Sequence, residues 1–179
     1  HPVFGLSVNV KDIDPSFSLG ERARVRQETI DRLTREGLIR LNGQLPLPKV
    51  IQRIAVISSA TAAGYGDFVN QLEQNPYGYR VYHRLFNSLM QGNEAVSSHL
   101  SALESVESEN TKSSFDAVVI IRGVGAQLDL DCFDDYRLAA QIAKFPLPIF
   151  TGIGHERDET IADLVAHTRL KTPTAVAEF

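Results

Sequence analysis

The sequence predicts an α/β protein built on an open, mostly parallel, four-strand doubly wound sheet. Three observations carry that reading. Four runs of strand length, "RIAVISS", "YRVYHRLFN", "FDAVVIIRG" and "PLPIFTGIG", follow one another from residue 50 onward. Each is followed by a stretch with helical patterning, which gives four βα units. The first run is continuously apolar, as strands covered on both faces tend to be. Parallel strands need covered faces and right-handed crossovers, and a doubly wound sheet satisfies both needs. With 179 residues, 43% of them hydrophobic, the chain can bury one well-packed domain and a fragment of another.

The elements follow in order. "FGLSVNVKDIDP" alternates apolar and polar residues like a β-strand that Pro15 ends. It has no hairpin partner and is expected to be the last strand of a preceding domain. "SLGERARVRQETIDRLTREG" predicts a helix. Ser18 and Glu21 have capping-box spacing, Leu19, Ala23, Ile30 and Leu33 form an apolar face, and Gly37 suits the stop. "NGQLPLPK" is a proline-marked linker. The helices of the βα units are expected in "GDFVNQLEQN", "GNEAVSSHLSALESVES", "CFDDYRLAAQIAKF" and "HERDETIADLVAH". "KTPTAVAEF" begins a further helix with Thr172 as cap and Pro173 at its first position. The expected organisation is a domain remnant at 1–17, a linking helix and linker at 18–48, the α/β domain at 49–171 and a truncated helical region from 172 to 179.

Bulk properties exclude several classes. No apolar run reaches transmembrane length and no secretory segment is present, so a soluble cytoplasmic protein without a membrane partner is expected. The single cysteine, Cys132, excludes an internal disulfide and a cysteine-rich zinc site. Tryptophan is absent and aromatics make up 8%, too few for an unaided single-strand stacking platform. Net charge is −4, with 8 Lys+Arg against 6 Asp+Glu in residues 1–50 and 10 against 16 in the rest. Such a body does not draw nucleic acid through its overall field, so any polyanion must be held by a local site.

Ligands of open parallel sheets bind beyond the carboxyl ends of the strands. The first strand ends in "SSATAAGYGD", the third in "RGVGAQLD" and the fourth in "TGIGHERD". Ser58, Ser59, Thr61, Gly64, Gly123 and Gly125 are small or hydroxylated residues that let backbone N–H groups approach a phosphate. Arg122 can pair with a phosphate in bidentate fashion. His155 titrates near neutrality and can act as acid or base. Asp158 falls on the same helical face if one helix includes both, where it can orient the imidazole or hold a metal. Asp67 supplies a further carboxylate. Each signal has a plain alternative: a tight turn, a surface ion pair, a helix-dipole partner, a capped helix start. Their convergence on one sheet edge favours a phosphate-handling site. His83, His99 and His167 read as surface or flank residues without a role.

"ISSATAAGYGD", "VVIIRGVGAQLDL" and "GIGHERDETIADLVAHTRLKTPTAVAE", in that order and spacing, resemble the catalytic domain of the exonuclease VII large-subunit family. The last segment is similar to the family pattern GHExDxTxxDxVAxxRxxTPTAAAE over nearly its whole length. The resemblance covers residue 3 to the end and implies that the opening strand is the tail of an OB-fold. It also implies hydrolysis of single-stranded DNA to acid-soluble oligonucleotides. Several copies of a small helical subunit are the implied partner. No divalent metal is strictly required, though Mg2+ at Asp67 and Asp158 is an option. By position, the implied catalytic residues are Asp67, Arg122, His155 and Asp158. The chain departs from the family in the third loop, where RGGGS reads Arg122-Gly123-Val124-Gly125-Ala126 and the acidic pair of SxED reads Leu128-Asp129. A later glutamate is Tyr136. The alternative is a non-catalytic α/β module that binds a nucleotide or phosphorylated ligand at the same edge. A core cut at both ends is expected to be inactive alone.

Overall fold

The computed structural model describes residues 15–123, 130–154 and 159–179. Its strands are β1 (Arg53–Ser58), β2 (Tyr82–Asn87), β3 (Ala117–Ile121), β4 (Ile149–Gly152) and β5 (Thr168–Arg169). They form one parallel sheet in the order β2-β1-β3-β4-β5. The helices are α1 (Pro15–Arg35), α2 (Ala63–Glu73), α3 (Ala95–Ser113), α4 (Tyr136–Lys144), α5 (Ile161–Val165) and α6 (Pro173–Glu178). One sheet face carries Ile54, Val56, Val119, Ile121 and Phe150, packed with Phe68 of α2 and Val176 of α6. The other carries Ala55, Ile57, Val118 and Ile120, packed with α1, α3, α4 and α5 through Leu33, Leu103, Leu138 and Ile161. Successive strand residues point to opposite faces. A strand covered on both must therefore be apolar at every covered position, which is the pattern of Ile54–Ile57 in β1 and of "AVVII" in β3.

The structure corrects several expectations. The sheet has five strands, not four. In the segment expected as one helix from 155 to 167, the described residues 159–167 contain only the five-residue α5, after which the chain re-enters the sheet. His167 N–H donates to the Ile149 carbonyl at 2.9 Å and Leu170 N–H to the Thr151 carbonyl at 2.8 Å. A two-residue strand has too few positions to display a period. α1 begins at Pro15, so Ser18 lies inside the helix and is not its cap. A proline in the first turn is pre-set for helix. Glu21 pairs with Arg24 in place of the expected capping box. α2 starts at Ala63, three residues before the expected Gly66. The helix expected from Cys132 is divided by Asp135, whose carboxylate accepts from the N–H groups of Arg137 and Leu138 and caps α4. The opening strand, expected as the tail of an OB-fold, lies outside the described residues.

Other expectations match. Gly37 ends α1 with φ +71°. Its N–H donates to the Thr34 carbonyl and that of Leu38 to the Leu33 carbonyl, the Schellman pattern. Thr172 caps α6 by accepting from Ala175 N–H, with Pro173 in the first turn. Among the described residues no helix is long and apolar enough to cross a membrane.

α1 joins the core through Leu33, and the segment after it is anchored by Leu38 and by Asn42, which is fully buried. The Asn42 side chain donates to the carbonyls of Phe145 (3.1 Å) and Leu147 (3.0 Å) and accepts from Ile149 N–H (2.9 Å). These bonds satisfy the backbone that leads into β4, where an unpaired buried group would be costly.

His99 is not a surface residue. It is fully buried in α3, its Nδ1 2.8 Å from the Ala95 carbonyl and its ring edge-on to Phe133 at 5.1 Å. Nε2 has no hydrogen-bond partner among the described residues, and burial pushes the pKa below the usual 6.5, against the pull of the Ala95 bond. Because the folded pKa is depressed, the unfolded chain takes the proton first as pH falls. His99 therefore leaves stability intact above about pH 6.5 and erodes it below. His83 is lowered by burial as well, so the comparison must be between variants. Between about pH 5 and 6.5, denaturant midpoints of His99→Leu are expected to fall less with acidification than those of the wild-type chain. Equal slopes would remove His99 as their source.

Candidate functional site at the switch point of the sheet

From β1 the chain moves outward to β2, crosses back to β3, and then proceeds the other way to β4 and β5. The connections leaving β1 and β3 thus diverge and open a crevice between their carboxyl ends. Ser58 ends β1 and Arg122 follows β3 there. The Arg122 N–H donates to the Gly152 carbonyl at 3.1 Å, extending the ladder to the exit of β4.

The loop after β1 is held from several sides. Ser59 and Thr61 hydroxyls lie 3.1 Å apart, Ala62 N–H donates to the Ser59 carbonyl, and Ala60 N–H donates to Asn87 Oδ1 at 2.9 Å. Asn87, at the end of β2, was not singled out in the sequence. Ser58 is fully buried and its hydroxyl has no hydrogen-bond partner among the described residues, whereas Thr61 is exposed. α2 then begins at Ala63, and its N-cap position, Ala62, supplies no side-chain cap. Among the described residues no side chain caps its first N–H groups, an arrangement that with the positive end of the dipole favours an anion.

Gly64 and Gly123 pack backbone to backbone. A Cβ on Gly64 would come within 2.6 Å of Gly123 Cα and 2.8 Å of the Arg122 carbonyl oxygen. One on Gly123 would lie 2.7 Å from Gly64 N and 3.2 Å from Ala63 N. The glycines thus let the α2 N-terminus close on the β3 exit. A side chain at 123 would also cover the first helix amides. Arg122 is 5% exposed, so it is not a surface ion-pair residue. Asp67 is exposed and sits in the second turn of α2, one turn beyond Gly64 and past the dipole's strongest reach.

His155, Asp158 and Gly125 lie outside the described residues. The frame around the first two is described. Glu159 and Thr160 are non-helical and α5 begins at Ile161, so α5 itself does not extend back to the His155–Asp158 segment. Thr160 and Asp163 form a capping box, in which Asp163 Oδ2 accepts from Thr160 N–H at 2.9 Å. Asp163 is buried. Its Oδ1 accepts from the Thr151 hydroxyl of β4 at 2.6 Å, and Arg169 of β5 approaches Oδ2 at 3.9 Å. Asp134 Oδ1 accepts from Ile161 N–H at 2.7 Å and from Arg26 of α1 at 2.9 Å. Burial pushes its pKa up, opposed by those two partners. Arg26 also donates to the Glu159 carbonyl at 2.8 Å. Asp163, Thr151, Asp134 and Arg26 were missed in the sequence. The capping-box spacing of Thr160 and Asp163 was the one local signal available.

Among the described residues no group of three His, Cys, Asp or Glu side chains is arranged to hold a metal. Asp158, the second carboxylate expected with Asp67 for an optional Mg2+, lies outside the described residues.

Comparison with known proteins adds a family. The profile described as "Exonuclease VII, large subunit" matches residues 38–179. The chain is 38% identical to an exodeoxyribonuclease 7 large subunit of Deinococcus radiodurans over 179 residues, all of this chain and 43% of that protein. It is 40% identical to the one of a Cyanothece species over 149 residues, covering 83% of this chain and 34% of the relative. The counterpart in Acaryochloris marina is 39% identical over 165 residues, 90% and 38% of the respective chains. The chain thus spans roughly two fifths of the length of these relatives.

The glycine contact yields a paired test by denaturant titration. Gly64→Ala forces backbone apart and is expected to cost about 1–3 kcal/mol. Gly66→Ala, on the same helix with nothing within 4 Å of its Cβ position, is expected to stabilise by about 0.5–1 kcal/mol. Equal effects would mean that α2 does not close on the β3 exit.

Proposed function

The chain belongs to the exonuclease VII large-subunit family, and from that premise we propose that it carries the hydrolytic site of a single-strand-specific exodeoxyribonuclease. The observation that supports this most is the meeting of an uncapped helix N-terminus with Arg122 at the switch point, on the edge where the His155 segment leaves β4. Simple packing needs neither a cation there nor an open helix end.

In this reading the scissile phosphate sits over the N–H groups at the start of α2, with Ser58, Ser59 and Thr61 beside it. Arg122 offers its charge from the floor of the crevice. Both groups offset the charge that grows on the phosphoryl oxygens as water adds and the P–O bond to the leaving oxygen breaks. His155 takes the proton from the attacking water or gives one to the leaving oxygen, and Asp158 orients the ring. Asp67, one turn along α2, positions the water. The proposal extends to the working form: a cytoplasmic complex with several copies of a small subunit, active without a divalent metal.

The full-length chain with its small subunit, given labelled single-stranded DNA, is expected to release acid-soluble oligonucleotides with or without EDTA. His155→Ala should slow release by about 100-fold or more while leaving the thermal midpoint unchanged. A folded complex that binds mononucleotides and cleaves nothing would replace this reading with the binding-module one.

A further inference from the structure

Arg26 and Asp134 lie 108 residues apart and meet at the exits of two site loops. Asp134 closes the turn 131–134 that follows the third-strand loop. The turn is itself fixed, since Phe133 is fully buried against His99. From that point a single carboxylate oxygen receives both Ile161 N–H and Arg26 Nη1, while Arg26 Nη2 holds the Glu159 carbonyl. The result is a closed ring of bonds through Arg26, Asp134, Ile161 and Glu159. The ring grips the backbone immediately after the segment that carries His155 and Asp158. It ties that backbone to the exit of the third loop and to the middle of α1.

The bonds are in good range and partly shielded, with side-chain exposures of 30% for Arg26 and 33% for Asp134. Other arginines of α1 are engaged differently. Arg24 pairs with Glu21 and Glu28 on its own helix and reaches no loop. Core packing does not require the ring, because α1 is already seated by Leu33 and Leu38 and by the Asn42 anchor. A fork that bonds one backbone carbonyl and the carboxylate capping a neighbouring N–H fixes the path of those residues in two directions.

We propose that Arg26 and Asp134 are positioning residues of the hydrolytic site, fixing the path of the backbone from Glu159 to Ile161 that follows directly on the His155–Asp158 segment. The inference rests on the function proposed above. Neither residue need touch substrate. Each acts through the backbone from Glu159 to Ile161. Displacement of a catalytic group by about 1 Å can cost up to about 100-fold in rate, so losing the ring should appear in turnover rather than in binding.

The test uses the full-length chain with its small subunit on labelled single-stranded DNA, with hydrogen exchange followed on the peptide spanning 159–165. Arg26→Met and Asp134→Ala are each expected to lower kcat by about tenfold or more with KM within about twofold. Exchange of that peptide should quicken while the thermal midpoint holds. The double variant should be no slower than the worse single one, since both break the same ring. Asp134→Asn keeps an acceptor for Ile161 N–H and should recover part of the loss. Arg26→Lys keeps the charge without the fork and serves if the methionine variant does not fold. Arg24→Met should match wild type. Wild-type kcat and unchanged exchange in the Arg26 and Asp134 variants would overturn the inference while leaving the nuclease reading intact. So would losses confined to KM, or additive losses in the double variant. A wild-type complex that cleaves nothing removes the premise, and this inference with it.

Discussion

Two glycines, 59 residues apart in sequence, meet where no Cβ can fit, and the geometry of the switch point depends on that contact. A parallel sheet ordered β2-β1-β3-β4-β5 must send its chain in opposite directions after β1 and β3, and so must leave a gap between them. How wide the gap stands is set by how near the α2 N-terminus comes to the β3 exit. With Gly64 against Gly123 the approach is limited by backbone alone. The helix amides then stand beside the backbone of Arg122 at the exit of β3. A side chain at either position would part them or cover the amides.

Directional polar bonds, beside the burial of Ile153 and Ile161, hold the backbone from Glu159 to Asp163 that follows the fourth-strand loop. Asp163 binds β4 through Thr151, the start of α5 through Thr160 and β5 through Arg169. Asp134 and Arg26 bind the same stretch from the third loop and α1. Hydrophobic packing would hold such a segment in place without fixing its backbone to a few tenths of an ångström. Directional bonds do fix it, and buried ones are strong so long as every partner is present. Much of the closing motif therefore reads as scaffolding. Thr160, Asp163, Arg169 and Thr172 each have a described structural partner.

Much of the fold was legible in the sequence, because burial on both faces forces apolar residues at every strand position, as in Ile54–Ile57 and Val118–Ile121. β5 was not legible, since two residues carry no period and the preceding five-residue helix invited continuation. His99 looked like a flank residue because a polar ring inside an apolar helix face gives no sign of its burial. For the site, topology alone brings Ser58, Gly64, Gly123 and Arg122 to one edge. The purpose of the glycines was less legible. Composition signals a close approach but not whether the approaching group is a phosphate or another backbone. Arg26, Asn42 and Asp134 act across roughly a hundred residues of sequence, and no local pattern encodes such a pairing.

The charge distribution follows from the same division between frame and site. The arginines of α1 could have offered a basic track, yet four of the five are paired, Arg22 with Asp131, Arg24 with Glu21 and Glu28, Arg26 with Asp134 and Arg32 with Glu36. Their fields are largely cancelled within a few ångströms, and what remains is screened by salt. A body of net charge −4 thus has no long-range pull on a polyanion. What it keeps is local: the N-terminus of α2, without a side-chain cap among the described residues, closed on the exit of β3 beside the Arg122 backbone. In the reading proposed above, capture of the strand and chemistry on it are then separate tasks, and this α/β core serves the second.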